Sequence, residues 1–120
     1  MVIGVDREET LRRLAIHDDA YVESILSRGF RDTSASGLDA KTQALVRLGA
    51  LIGIVAAPPC YMCAVESAKA AGATEDEIVG ILVAVLPSIG ADHVVSAAPG
   101  LGLALGYDVA AALEEPAGRG

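Results

Sequence analysis

Two adjacent prolines, Pro58 and Pro59, interrupt the longest uncharged run of the chain, which extends from Leu48 to Val65. Proline lacks the backbone N–H that a helix interior requires, and its ring clashes with the preceding turn, so one helix must stop before the pair. By length the run could cross a bilayer, but the prolines cut it after ten residues, and Gly49 and Gly53 lie within that first part. A buried core helix fits better than a membrane span. The same prolines suit the first turn of a following helix, where a missing N–H costs nothing.

Other punctuation agrees with a helical chain. Asp6 followed by Glu9 resembles a capping box, and Leu11, Leu14 and Ala15 then recur at helical spacing. Asp18 and Asp19 can cap a second helix with Val22, Ile25 and Leu26 on one face, ending near Gly29. Residues 31–38, with Ser34, Ser36 and Gly37, have the composition of a loop and hinge. Asp39 is a suitable N-cap for a long third helix whose apolar face carries Ala44, Leu45, Leu48, Leu51, Ile52 and Val55, ended by the prolines. A fourth helix, Cys60 to Ala71, closes at Gly72. Thr74 with Glu77 is a capping box that opens a fifth, through Ile78, Ile81, Leu82, Val85 and Leu86 to Pro87. From Asp92 a sixth carries Val94, Val95, Ala98, Leu101 and Leu105, with a kink or an interruption expected at Pro99-Gly100, and Asp108 begins a last short turn.

No segment alternates with period two between turn signals, so the expected fold is all-α, with about six to seven helices. Residues 1–120 read as a single domain: an N-terminal helical hairpin and loop over 1–37, a core over 38–107 and a loose tail over 116–120. Hydrophobic residues make up 52% of the chain but aromatic ones only 3%, which calls for a core of closely packed Ala, Val, Leu and Ile. A chain this long buries about two-thirds of its unfolded surface. The mean hydropathy of +0.47 offers more apolar surface than one such core hides, which implies a homo-oligomer. Gly49 and Gly53, like Gly102 and Gly106, could let helix backbones approach closely.

The formal net charge is −7, and no cluster of Lys or Arg offers the basic stripe that nucleic acid needs, so neither nucleic acid nor membrane is an expected partner. The start MVIGVDREET has no basic region followed by an apolar stretch, which reads as a cytoplasmic protein rather than a secreted one. The glycines at 100–106 are spaced GxGxxxG within a helical context, not as the strand-borne fingerprint of dinucleotide binding. A zinc site needs about four ligands, and a second CxxC or an HxxxH is absent, so no metal or organic cofactor is implied.

The chemistry-bearing stretch is PPCYMCAVES, residues 58–67, where Cys60 and Cys63 stand three residues apart at a helix start. In a protein without a disulfide framework, a CxxC pair reads as a redox centre or as half a metal site, and the missing further ligands leave redox work. A free cysteine is only about 3% thiolate at neutral pH, so environment decides reactivity more than spacing does. The helix start, with its free N–H groups and dipole, favours a thiolate on Cys60, whereas burial beside Val55, Ala64 and Val65 would oppose one. On one helix face, either sulfur can resolve a sulfenic acid or mixed disulfide formed on the other. Ser67 can donate a hydrogen bond to a thiolate, Glu66 offers a local base, and His93 is an imidazole able to approach the core. Tyr61 is expected to expose its phenol at an entrance or to fill an interface. The segment His17-Asp18-Asp19 reads as a cap and a solvated turn.

The order GLDAKTQALVRLGALI, then CYMC, then AAGATEDEIVGILVAVLPSIGA resembles the carboxymuconolactone decarboxylase/AhpD-like family over about residues 37–107. The resemblance implies an AhpD-like helical bundle assembled as trimers or hexamers. It also implies thiol–disulfide chemistry with peroxiredoxin-type, antioxidant alkylhydroperoxidase activity, acting on a small peroxide or a thiol–disulfide partner. In the alkylhydroperoxidase branch the motif is CxxCxxxH with a preceding glutamate, and acid, histidine and thiol form a proton relay. Cys60 and Cys63 match the thiols, with Cys63 attacking and Cys60 resolving by family pattern, although the helix dipole favours Cys60 as attacker. The histidine position carries Ser67, and the glutamate position falls near Leu48, so the relay is incomplete. The decarboxylase branch relies on histidine and polar pocket residues, for which this chain offers His93. Other family members have no established activity, and the alternatives are a silent or small-ligand-binding oligomer or a carboxymuconolactone-decarboxylase-like enzyme.

Overall fold

The computed structural model describes residues 6–29 and 35–107. Its described residues form six helices and no strand: α1 (Arg7–Ala15), α2 (Asp19–Ser27), α3 (Ala40–Gly53), α4 (Pro58–Ala70), α5 (Glu75–Ile89) and α6 (Ala91–Ala104). The fold is all-α, as expected from the caps and periodicity. Residues 31–34 of the anticipated loop, the turn at Asp108 and the tail over 116–120 lie outside the described residues. The described residues form two compact units, divided between Gln43 and Ala44.

In the first unit, the Asp6 carboxylate accepts from Glu9 N at 3.3 Å and that of Asp18 from Tyr21 N at 3.1 Å, so both aspartates cap as their positions suggest. Glu9 does not reach back to complete a capping box. Its carboxylate takes hydrogen bonds from Arg12 and Arg13, and the Arg13 guanidinium lies 5.3 Å from the Tyr21 ring centre. His17, exposed in the turn after α1, has φ 54°. Neither α1 nor α2 buries a residue, and Leu11, Leu14 and Leu26 stay exposed despite their helical spacing. At the start of α3 the Asp39 carboxylate accepts from Thr42 N at 2.7 Å, which holds that carboxyl below its ordinary range. Ser36 donates to buried Gln43 Oε1.

The second unit contains the core: Leu48 and Ile52 of α3, Tyr61, Ala64, Val65 and Ala68 of α4, Ala73, Ile78 of α5, and Ala97 and Leu101 of α6, with Ala44 and Leu105 at its margins. Alanines let the helices approach closely. A methyl group on Gly49 would lie 3.4 Å from Val85 Cγ1, so α3 and α5 touch along that glycine, and Gly53 faces Ile89 in the same way. Gly106, by contrast, lies beyond the end of α6 with φ 92°, where it supports a turn rather than helix contact.

Three boundaries differ from the sequence reading. α3 stops at Gly53, five residues before the prolines, because Ala56 N donates to Leu51 O at 3.1 Å and Val55 N to Ile52 O at 3.2 Å, a Schellman turn that satisfies the last carbonyls. Val55 is therefore not part of the apolar face; it is 47% exposed at φ 53°. Pro87 does not end α5, and Pro99 does not break α6. Each lies on the exposed side of its helix, so the carbonyl that loses its donor, Val83 or Val95, belongs to an exposed residue rather than to the core. What ends α5 is Gly90, whose φ 88° and ψ 162° lie in a region that glycine alone occupies readily, and α6 starts at the next residue.

Candidate functional site

Helix α4 positions the thiols. Ala57 precedes it with φ −68° and ψ 151°, and Pro58 and Pro59 occupy its first two positions, where their fixed φ suits a helix. Four apolar side chains at helical spacing, Tyr61, Ala64, Val65 and Ala68, face inward and are buried. Cys60, Cys63 and Ser67 follow at i, i+3 and i+7, which places them together on the flank beside that buried face. Both cysteines are free thiols and both are exposed, while Ser67 is half-buried. The expected burial beside Val55, Ala64 and Val65 does not occur. The two α4 residues turn inward, away from the thiols, and Val55 lies in the exposed turn that ends α3.

The helix start is less generous to an anion than its position suggests. Pro58 and Pro59 have no N–H, and the Cys60 N–H donates to Ala57 O at 2.9 Å. The first three residues of α4 therefore present no free backbone donor to a sulfur, and the peptide dipoles alone remain. Among the charges of this helix, Lys69 is engaged elsewhere: its Nζ donates to Glu75 Oε2 at 2.9 Å, holding the Glu75 carboxyl below its ordinary range.

The supporting residues are only partly gathered. Glu66 is exposed on the adjoining solvent face of α4, and His93 is exposed in the first turn of α6. Among the described residues, no hydrogen bond or ion pair joins Glu66, Ser67 or His93 to either thiol or to one another. The position where the resemblance places a glutamate holds Leu48, which is 0% exposed within the apolar core. No group of three or more His, Cys, Asp or Glu among the described residues could hold a metal ion.

Tyr61 differs most from expectation. It is neither at an entrance nor exposed: at 2% exposure it is the largest fully buried side chain among the described residues, and its hydroxyl donates to Leu51 O at 3.3 Å. Burial raises the phenol above its ordinary pKa, partly offset by the nearby Ala56 N–H, so it serves as a neutral donor. The signal was present in the spacing 61, 64, 65 and 68, which is a complete inward stripe, and in the structure Gly100 lies against the ring, where an added methyl would come within 3.2 Å of Cδ2. Comparisons with protein-family models, with curated proteins and with solved structures give no match to this chain.

Proposed function

We infer that this chain is an AhpD-like thiol–disulfide protein that cycles between a dithiol and a disulfide at Cys60 and Cys63 and reduces hydroperoxides slowly. The observation that carries this reading is the exposure of two free thiols three residues apart on one helix face. Helix geometry sets their Cα atoms about 5 Å apart, inside the range of about 4.4–6.8 Å that a disulfide spans. With a hydroperoxide, one thiolate sulfur attacks the terminal oxygen and the O–O bond breaks. The alcohol leaves after taking a proton, and a sulfenic acid remains. The second thiol attacks that sulfur, expelling water and forming the disulfide; two electrons have passed from sulfur to the peroxide. Solvent supplies the proton, since Ser67 cannot carry one near neutral pH as histidine does, and the reaction is correspondingly slow.

A second reading, a catalytically silent or ligand-binding family member, draws on Leu48 buried where the relay needs an acid and on the used Cys60 N–H. Either reading is compatible with a cytoplasmic homo-oligomer, trimer or hexamer. Val79, Val83 and Leu86 on one side of α5, and Val95 and Leu103 on α6, are exposed apolar residues that subunits would cover. Hydroperoxide consumption by the native chain, Cys60→Ser and Cys63→Ser separates the readings. Activity in the native chain that either substitution abolishes supports the first, and equal rates in all three, including zero, support the second.

A further inference from the structure

The carbonyl of Leu51 accepts two hydrogen bonds, one from Ala56 N at 3.1 Å and one from the Tyr61 hydroxyl at 3.3 Å. The first closes the Schellman turn after α3, whose left-handed residue is Val55 at φ 53°. Two other helices end in the same hydrogen-bond pattern with glycine at that position, Gly72 after α4 and Gly106 after α6. A β-branched residue there is a real outlier, held in place by its surroundings. Tyr61, which contributes to that restraint, lies between the two cysteines in sequence.

We propose that closing a Cys60–Cys63 disulfide and releasing this turn are one event: oxidation draws the Tyr61 hydroxyl off the Leu51 carbonyl and lets Val55 leave the left-handed conformation. The inference rests on the thiol–disulfide reading of the same site and states what the disulfide would control. Residues three apart on a helix hold their Cβ atoms about 5–6 Å apart, whereas a disulfide holds them about 3.5–4.5 Å apart, so the first turn of α4 must tighten. Tyr61 sits inside that turn and moves with it. Its ring has little freedom, because it is enclosed and packs so closely on Gly100 that a methyl group added there would lie 3.2 Å from Cδ2. Its hydroxyl bond, at 3.3 Å, already exceeds the usual O–H···O range of about 2.5–3.0 Å and is the restraint that yields first. The fixed φ angles of Pro58 and Pro59 pass the displacement upstream, to the turn where Val55 gains by moving.

Coupling of this kind is reciprocal, so the turn must in return set the redox equilibrium. The test equilibrates the full chain with reduced and oxidised glutathione. One cysteine attacks glutathione disulfide and releases one glutathione thiol, and the other cysteine displaces the second. Two electrons and both thiol protons end on glutathione. Tyr61→Phe removes a bond made only in the dithiol form, so the equilibrium shifts toward the disulfide by about two- to tenfold. Val55→Gly removes strain present only in the dithiol form and shifts it the opposite way, by about three- to tenfold. In the native chain, the Ala56 amide exchanges with solvent faster in the disulfide form than in the dithiol form, a readout independent of how well either variant folds. A disulfide that forms with equal Ala56 exchange in both states, or with both variants unmoved or shifted the same way, overturns the coupling and leaves the thiol–disulfide reading standing. No disulfide in the native chain at any glutathione ratio overturns both.

Discussion

A methyl group placed on Gly100 would lie 3.2 Å from Cδ2 of Tyr61, so α6 and α4 meet at a glycine against a buried ring. Tyr61 cannot retreat easily, because it is enclosed and its hydroxyl is bonded to Leu51. Gly100→Ala therefore gains the usual helix preference of alanine but loses more to overpacking, and we expect a net destabilisation of about 1 kcal/mol. Gly80, inside α5, faces open space. Gly80→Ala should stabilise by about 0.5–1 kcal/mol. Urea melts of the two variants beside the native chain should move in opposite directions.

The left-handed Val55 gives a second stability prediction. It is half-exposed, so Val55→Gly loses little burial while removing a steric conflict of about 1–2 kcal/mol, part of which the added freedom of glycine in the unfolded chain cancels. The reduced variant should be more stable than the native chain by about 1 kcal/mol. Gly72→Ala, at the equivalent position after α4 with φ 97°, should be less stable by about 1 kcal/mol. Thermal melts under reducing conditions check both.

At the start of α5, Thr74 Oγ1 accepts from Glu77 N at 3.1 Å and Glu77 Oε1 accepts from Thr74 N at 2.9 Å. Thr74→Ala breaks this reciprocal pair and should cost about 1 kcal/mol. Amide exchange in the first turn of α5 should quicken before any change elsewhere.

Glu9 provides a pH prediction. Hydrogen bonds from Arg12 and Arg13 lower its carboxyl from 4.5 to about 2. A carboxylate depressed on folding contributes stability that is present above its unfolded value, near 4.5, and that is lost as pH falls toward about 2. The carboxyl carbon resonance of Glu9 should therefore titrate near 2 at low salt. The pair is exposed, so added salt should raise that midpoint toward the ordinary value.

Much of the helical framework was legible in the sequence because caps are local. Asp6, Asp18, Asp39 and Thr74 each act within three residues of themselves, and Pro58-Pro59 can occupy only a helix start or a turn. The errors at Pro87 and Pro99 came from reading a proline within an apolar stretch as a stop or an interruption. Pro87 and Pro99 remain within helices because each lies on an exposed side, a fact of tertiary placement. The end of α3 was missed because a valine holds the left-handed position normally marked by glycine. At the site, spacing placed Cys60 and Cys63 on one face. It could not show that both thiols would be exposed, that the Cys60 N–H would bond to Ala57, or that Tyr61 would turn inward to meet Leu51.

The most direct measurement is the intact mass and alkylatable thiol content of the native chain after treatment with a hydroperoxide. A thiol–disulfide protein should lose two hydrogens without gaining oxygen, show no alkylatable thiol, remain one chain under denaturing conditions and recover both thiols on reduction. Two thiols still alkylatable after peroxide, or chains linked to one another through single cysteines, would contradict a redox role for the Cys60/Cys63 pair.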